Sequence, residues 1–402
     1  MSDVRPFRAL RPLDALAGEV IAPPYDVLTP SEAKALARDP RNFVRVTRAE
    51  VDLEEGADPH GDATYEKAAQ NLAELEGKGV MQRDDTATYY FYGQRMGEHV
   101  QVGVLAGASV EEYLDGRIAR HEFTRPDKED DRTKHLEVLN AQVGLVFLAY
   151  RPTERLREMT QAVTAMPPAW SVTTEDDVEH TLWVAPQALV PQIRDAFASV
   201  STLYIADGHH RSAAAARVHT TRCEDATAFF LAGLYPSDSL QVMAYNRVVH
   251  DLAGRSTEAF MDEVRQVFSV DEASGCVPEG RGNVRMYVEG TWYNLRPLAS
   301  VDASDPVASL DVSILQDRLL RPVLGIEDPR RSERISFVGG IRGGQALEAA
   351  VDAGAAVAFH LHPTSLEELF AVADAGEVMP PKSTWFEPKL REGVAVRPLD
   401  ER

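Results

Sequence analysis

Residues 204–219 read YIADGHHRSAAAARVH: an apolar run, then Asp207, Gly208, His209, His210 and Arg211, then a run of alanines. The apolar run predicts a strand ending at Ala206, and the alanines predict a helix that begins near His210 and packs closely on a sheet. Gly208 supplies the positive φ that such a sharp turn demands. A strand, a glycine and a helix in this order gather unpaired backbone N–H groups at one point, where the helix dipole adds partial positive charge. Arg211 contributes a planar fork of donors, and His209 and His210 contribute donors or, when neutral, acceptors. Phosphate is the expected guest of Gly208, His209, His210 and Arg211. Asp207 alone would repel it, so this carboxylate is read as a helix cap, as a carrier of Mg2+, or as a base toward a hydroxyl. Adjacent histidines on a helix diverge by about 100°, which disfavours a zinc pair made by His209 and His210.

Outward from this motif, short strand-like and helix-like runs alternate along the chain, which predicts a mixed α/β fold. TPSEAKALARD, from Thr29, predicts a capped helix. TATYYFYGQ (86–94) and HVQVGVLAGASV (99–110) predict a hairpin turning at MGE. DKEDDRTKHLEVLNA predicts a charged helix and VGLVFLAY the buried strand after it. The glycine-rich EASGCVPEGRGN (272–283) is the expected boundary between residues 1–271 and 272–402, with a long hairpin loop as the alternative.

The 402 residues are enough for a large core and two or three domains. With 42 Lys plus Arg against 63 Asp plus Glu, the net charge of -21 argues against a nucleic-acid partner. Cys223 and Cys276 are too few for a disulfide framework or a cysteine zinc site, and a reducing compartment is expected. No stretch has the length of a signal-peptide core or a membrane span, so a soluble, cytoplasmic protein without membrane partners is expected.

Three further clusters carry chemistry. IAPPYDVLTP (21–30) stiffens the backbone with Pro23 and Pro24 and presents Tyr25 and Asp26 ahead of a helix. HEFTRPDKEDDR (121–132) places Glu122 as a magnesium ligand or base, with Arg125 or Arg132 toward phosphate. In VMPPKSTWFEPKL (378–390), Lys382, Ser383 and Thr384 sit in a proline-framed loop suited to complete a phosphate or carboxylate pocket. FVGGIRGG (337–344) is dense enough in glycine to cradle phosphate but lacks dinucleotide-fingerprint spacing.

RPFRALRP, IAPPYDVLTPSEA, HEFTRPDKEDDR, YIADGHHRSAAA, DPRRSERISFVGG and VMPPKSTWFEPKL resemble, in order, the signatures of the bacterial and archaeal family called domain of unknown function 1015. The DGHHR turn is also similar to the phosphate-binding motif of the ParB and sulfiredoxin superfamily, within which the free-serine kinases carry a nucleotide on this motif. That second resemblance implies a ParB/sulfiredoxin-like nucleotide-binding core with family-specific insertions, in which the 272–402 portion contributes to the same cleft. It further implies a small-molecule kinase that uses Mg2+ and moves phosphate from ATP or ADP to a hydroxylated metabolite, free L-serine first. By the same resemblance Asp26 is the candidate base. A nucleotide-binding regulatory protein without turnover and a metal-dependent hydrolase remain the alternatives, and a homodimer stays open.

Overall fold

The strands Tyr90–Met96 and His99–Ser109 form the expected hairpin, turning at Gly97 and Glu98 with Met96 opposite His99. They lie inside a nine-stranded mixed sheet in the computed structural model, which describes residues 2–400. From edge to edge the order is Ile118–Ala119, Leu203–Asp207, Val146–Tyr150, Phe229–Pro236, His99–Ser109, Tyr90–Met96, Val178–Val184 and Trp170–Thr173, with Val4–Arg5 beside His99–Ser109. Two pairings are parallel: Leu203–Asp207 with Ile118–Ala119, and Phe229–Pro236 with Val146–Tyr150. The central strands are buried on both faces, as their near-continuous apolar runs require.

The helix His209–Arg222 lies on this sheet, with Ala213, Ala215 and Ala216 buried among Val146, Leu148 and Ile205. Small side chains let it approach closely. The charged helix Pro126–Leu139 packs beside it through Leu136. Ahead of both, the helix Pro30–Leu36 starts with a capping box in which Thr29 and Glu32 exchange hydrogen bonds. The loop leading into it is held by Arg48, whose guanidinium donates to the carbonyls of Tyr25 and Leu28, both at 3.1 Å.

The chain divides into two compact units, Met1–Leu240 with Pro388–Arg402, and Gln241–Glu387. The expected boundary at residue 272 therefore falls inside the second unit, in the connection between the strands Phe268–Glu272 and Val284–Val288. The 388–402 stretch belongs to the first unit, where Arg397–Pro398 pairs with Ala141–Gln142.

The second unit carries a six-stranded antiparallel sheet in the order Phe268–Glu272, Thr291–Pro297, Val284–Val288, Val357–His360, Tyr245–Val249 and Ile335–Gly339. Helices Thr257–Val267, Gly343–Asp352 and Leu366–Asp374 accompany it. Close packing accounts for glycine within FVGGIRGG, since a Cβ at Gly340 would stand 2.7 Å from the Ala244 carbonyl oxygen. Among the described residues, no helix is long and apolar enough to cross a membrane.

Candidate functional site

At the end of the Leu203–Asp207 strand, Gly208 takes φ 95° and ψ 26° and starts the helix at His209. A side chain here would be strained by the backbone and would also press on Arg211 Nε at 3.2 Å and Val146 Cα at 3.3 Å. The N–H groups of Arg211 and Ser212 donate to the Gly208 carbonyl at 2.9 and 3.0 Å, whereas those of His209 and His210, the first two of the helix, have no acceptor one turn back.

Asp207 is not the helix cap, because Gly208 occupies that position without a side-chain cap. Its Oδ2 instead accepts from Arg211 at 3.1 Å, while the other arm of Arg211 donates to the Leu145 carbonyl. Desolvation disfavours the ionised carboxyl of Asp207, but Arg211, Lys389 and the Gly208 N–H outweigh it and hold the pKa below the ordinary carboxylate value. The Asp207 side chain stays 51% exposed and that of Arg211 18%.

Arg211 also lines a cavity of about 50 Å³, room for a few waters or a small anionic group, together with Tyr25, Thr47, Arg132, His135 and Glu392. The Arg132 guanidinium lies 4.3 Å from the centre of the Tyr25 ring and pairs with Asp131 at 2.5 Å. Glu392 reaches the cavity because its backbone exchanges hydrogen bonds with Ala22, at 3.0 and 2.9 Å. The next residue, Gly393, turns away at φ 79°, where a Cβ would stand 2.7 Å from the Phe43 ring. Burial pushes the Glu392 carboxyl up to about 7, although Thr47, Arg211 and Arg132 act in the opposite direction. Two guanidiniums beside a carboxyl that titrates near neutrality make a pocket able to hold an anion and to exchange a proton.

On the other side of the turn, the parallel register of Leu203 with Ile118 and Tyr204 with Ala119 brings the residues after Ala119 alongside Asp207 and Gly208. The rings of His121 and His209 meet edge to face at 4.7 Å, and Glu122 Oε2 stands 3.9 Å from His209 Nδ1. Burial pushes His121 down to about 4 and His209 well below its ordinary value, so both rings are neutral near pH 7. His121 Nδ1 and His209 Nε2 are buried without a hydrogen-bond partner, a cost of about 1–3 kcal/mol each.

The remaining expected site residues are placed as follows. Asp26 is exposed, follows the cavity-lining Tyr25, and is close enough to act electrostatically on Arg211 and Glu392. His210 Nε2 accepts the Arg125 N–H at 3.0 Å and so fastens the HEFTR loop, while the Arg125 guanidinium forks onto Asp127. Lys382, Ser383 and Thr384 belong to the second unit. There the Lys382 ammonium lies 5.5 Å from the Tyr245 ring centre, and the Ser383 hydroxyl donates to the Pro380 carbonyl at 2.6 Å. Glu392 escaped the sequence reading, because a lone glutamate in LREGV carries no motif.

Among solved structures, the chain is similar to free serine kinase in complex with AMP, at 13% identity and a TM-score of 0.37, covering 71% of this chain and 86% of that chain. A conserved hypothetical protein from Pyrococcus furiosus aligns at 12% identity and a TM-score of 0.37, over 73% of this chain and 95% of that one. C-terminally truncated SbnI from Staphylococcus aureus aligns at 13% identity and a TM-score of 0.40, over 74% and 89% respectively. No curated protein sequence matches. Residues 4–313 match the model of the family described as protein of unknown function (DUF1015), and the chain belongs to that family.

Proposed function

We propose that this protein is a small-molecule kinase that moves a phosphoryl group from ATP or ADP to a hydroxyl, with free L-serine as the first acceptor to test. The observation that carries the reading is the convergence, at one strand end, of a helix N-terminus, an ionised Asp207 and the cavity holding Arg211 and Arg132. Phosphoryl transfer asks a protein mainly for positioning and neutralisation of charge, and these groups supply both.

In this reading the N–H groups of His209 and His210, with Arg211 and Arg132, hold phosphate oxygens. The cavity admits a group of phosphoryl size. Asp207 suits Mg2+, which binds through one or two carboxylates plus phosphate oxygens, since a carboxylate that pairs with Arg211 retains further lone pairs. When bound, the ion neutralises phosphate charge. Asp26 accepts the proton of the acceptor hydroxyl as its oxygen bonds to phosphorus and the bond from phosphorus to the leaving nucleotide breaks. Lys382, Ser383 and Thr384 are assigned no role.

Purified protein incubated with ATP or ADP, Mg2+ and a panel of hydroxylated metabolites that includes L-serine tests the proposal by 31P NMR. A new phosphate ester is expected, with turnover lowered by about 100-fold or more in Asp26→Asn and by about 100- to 1000-fold in Arg211→Ala. Nucleotide binding without ester would make the protein a nucleotide-binding regulator. Release of inorganic phosphate without any acceptor would make it a hydrolase.

A further inference from the structure

We propose that His121, Glu122 and His209 form a binding site for a divalent transition-metal ion, distinct from any Mg2+ held with phosphate at Asp207. One imidazole nitrogen from each histidine and one carboxylate oxygen of Glu122 all lie within 4.8 Å of one another. Both rings are almost wholly buried, at 3% and 4% exposure, and each keeps a buried nitrogen with no hydrogen-bond partner. Buried polar nitrogens are ordinarily satisfied, so unpaired ones on two touching rings show polar atoms of this cluster lacking partners among the described residues, with His121 unpaired at Nδ1 and His209, which meets Glu122 through Nδ1, unpaired at Nε2.

The fold holds the two histidines in place independently of any ligand. His121 follows the short strand Ile118–Ala119, which pairs in parallel with Leu203–Tyr204, and His209 opens the helix that follows the second of these strands. The two rings therefore stand at the carboxyl ends of neighbouring parallel strands, the position where open α/β sheets bind ligands. Glu122, half exposed, brings Oε2 to 3.9 Å from His209 Nδ1. With metal–donor bonds of about 2.0–2.1 Å, tetrahedral donors sit roughly 3.4 Å apart, so ion binding draws the three donors together from separations that reach no more than 4.8 Å.

Two imidazoles and one carboxylate select the metal class. Mg2+ and Ca2+ take oxygen ligands, whereas this donor set suits Zn2+, Co2+, Fe2+ or Mn2+. Three protein donors also leave a coordination position open for water or a substrate oxygen, the arrangement of reactive metal sites rather than of closed structural ones.

The test uses the full chain, stripped with a chelator and free of nucleotide, so its outcome is separate from that of the kinase assay. Calorimetric titration with Zn2+, and absorbance titration with Co2+, should each show one tight equivalent that an excess of Mg2+ does not displace. His121→Ala and His209→Ala should each weaken Zn2+ binding by about 100-fold or more, and Glu122→Gln by about 10-fold or more. Should either histidine variant fail to fold, Glu122→Gln decides, because its side chain is half exposed and its loss leaves the core intact. The proposal is overturned if the wild-type chain binds none of Zn2+, Co2+ or Mn2+, or if Glu122→Gln binds Zn2+ as tightly as wild type.

Discussion

His209 and Arg211 leave the same helical turn about 200° apart, and the two sides of the turn handle buried polar chemistry in opposite ways. On the Arg211 side, charge is kept and cancelled: the guanidinium meets Asp207 and the Leu145 carbonyl, and Arg132 meets Asp131 and the face of Tyr25. On the His209 side, the rings themselves give up charge, because burial keeps both imidazoles neutral, and each is left with a nitrogen without a partner. A guanidinium cannot shed its proton and must bring counter-charges with it, whereas an imidazole sheds its proton and becomes a ligand. The five-residue motif is thus one backbone device with two side-chain environments.

The largest effect expected separates those sides. Gly393→Val meets both a positive φ and the Phe43 ring at 2.7 Å, and should lower stability by about 4 kcal/mol in urea unfolding. In the fraction that stays folded, Glu392 is displaced from the Arg211 side while the histidine side keeps its geometry. An unchanged urea midpoint would show that Gly393 does not set the position of Glu392.

Glu392 provides the next test. The folded chain holds its proton up to about pH 7, whereas the unfolded chain releases it near 4.5. The native state then binds more protons across that window, so this group's contribution is fully present below about 4.5 and is lost as pH rises through about 7. Glu392→Gln should reduce the fall in unfolding free energy between about pH 5 and 8 by about 3 kcal/mol relative to wild type. Parallel pH profiles for the two proteins would contradict the raised pKa.

Gly208 is shared by both sides. Gly208→Ala should cost about 2 kcal/mol, and, unlike Gly393→Val, it should disturb His209 and Arg211 together, read as weakened nucleotide and metal binding in one variant. The smallest effect belongs to the His210 side chain, which serves neither side because only the backbone N–H of this residue is assigned to phosphate. His210→Ala should cost about 1 kcal/mol or less and speed hydrogen exchange at the Arg125 amide, whose acceptor it removes. A large loss of nucleotide affinity instead would place the His210 imidazole, as well as its N–H, in the phosphate site.

The hairpin at Gly97, the capping box at Thr29 and the strand, glycine and helix order at 203–222 were all legible in the sequence. Each is decided by turn chemistry, capping or side-chain periodicity within a few residues. The cap reading of Asp207 failed for a reason of the same scale, since a carboxylate four residues before an arginine on a helix start finds a stronger partner there than the backbone.

What the sequence by itself determined is therefore local and familial: the turn that aims backbone N–H groups outward, the glycine it requires, and membership in the family. Tertiary structure alone decided that residues 388–402 return to the first unit and bring Glu392 to Arg211, and that HEFT lies beside DGHHR. Those contacts join residues some 90 to 180 positions apart through strand pairings, Ile118 with Leu203 and the Ala22 bridge to Glu392. Such pairings are selected by burial of whole strand faces in a common core, and no local pattern around Glu392 or His121 records which distant strand will lie next to it.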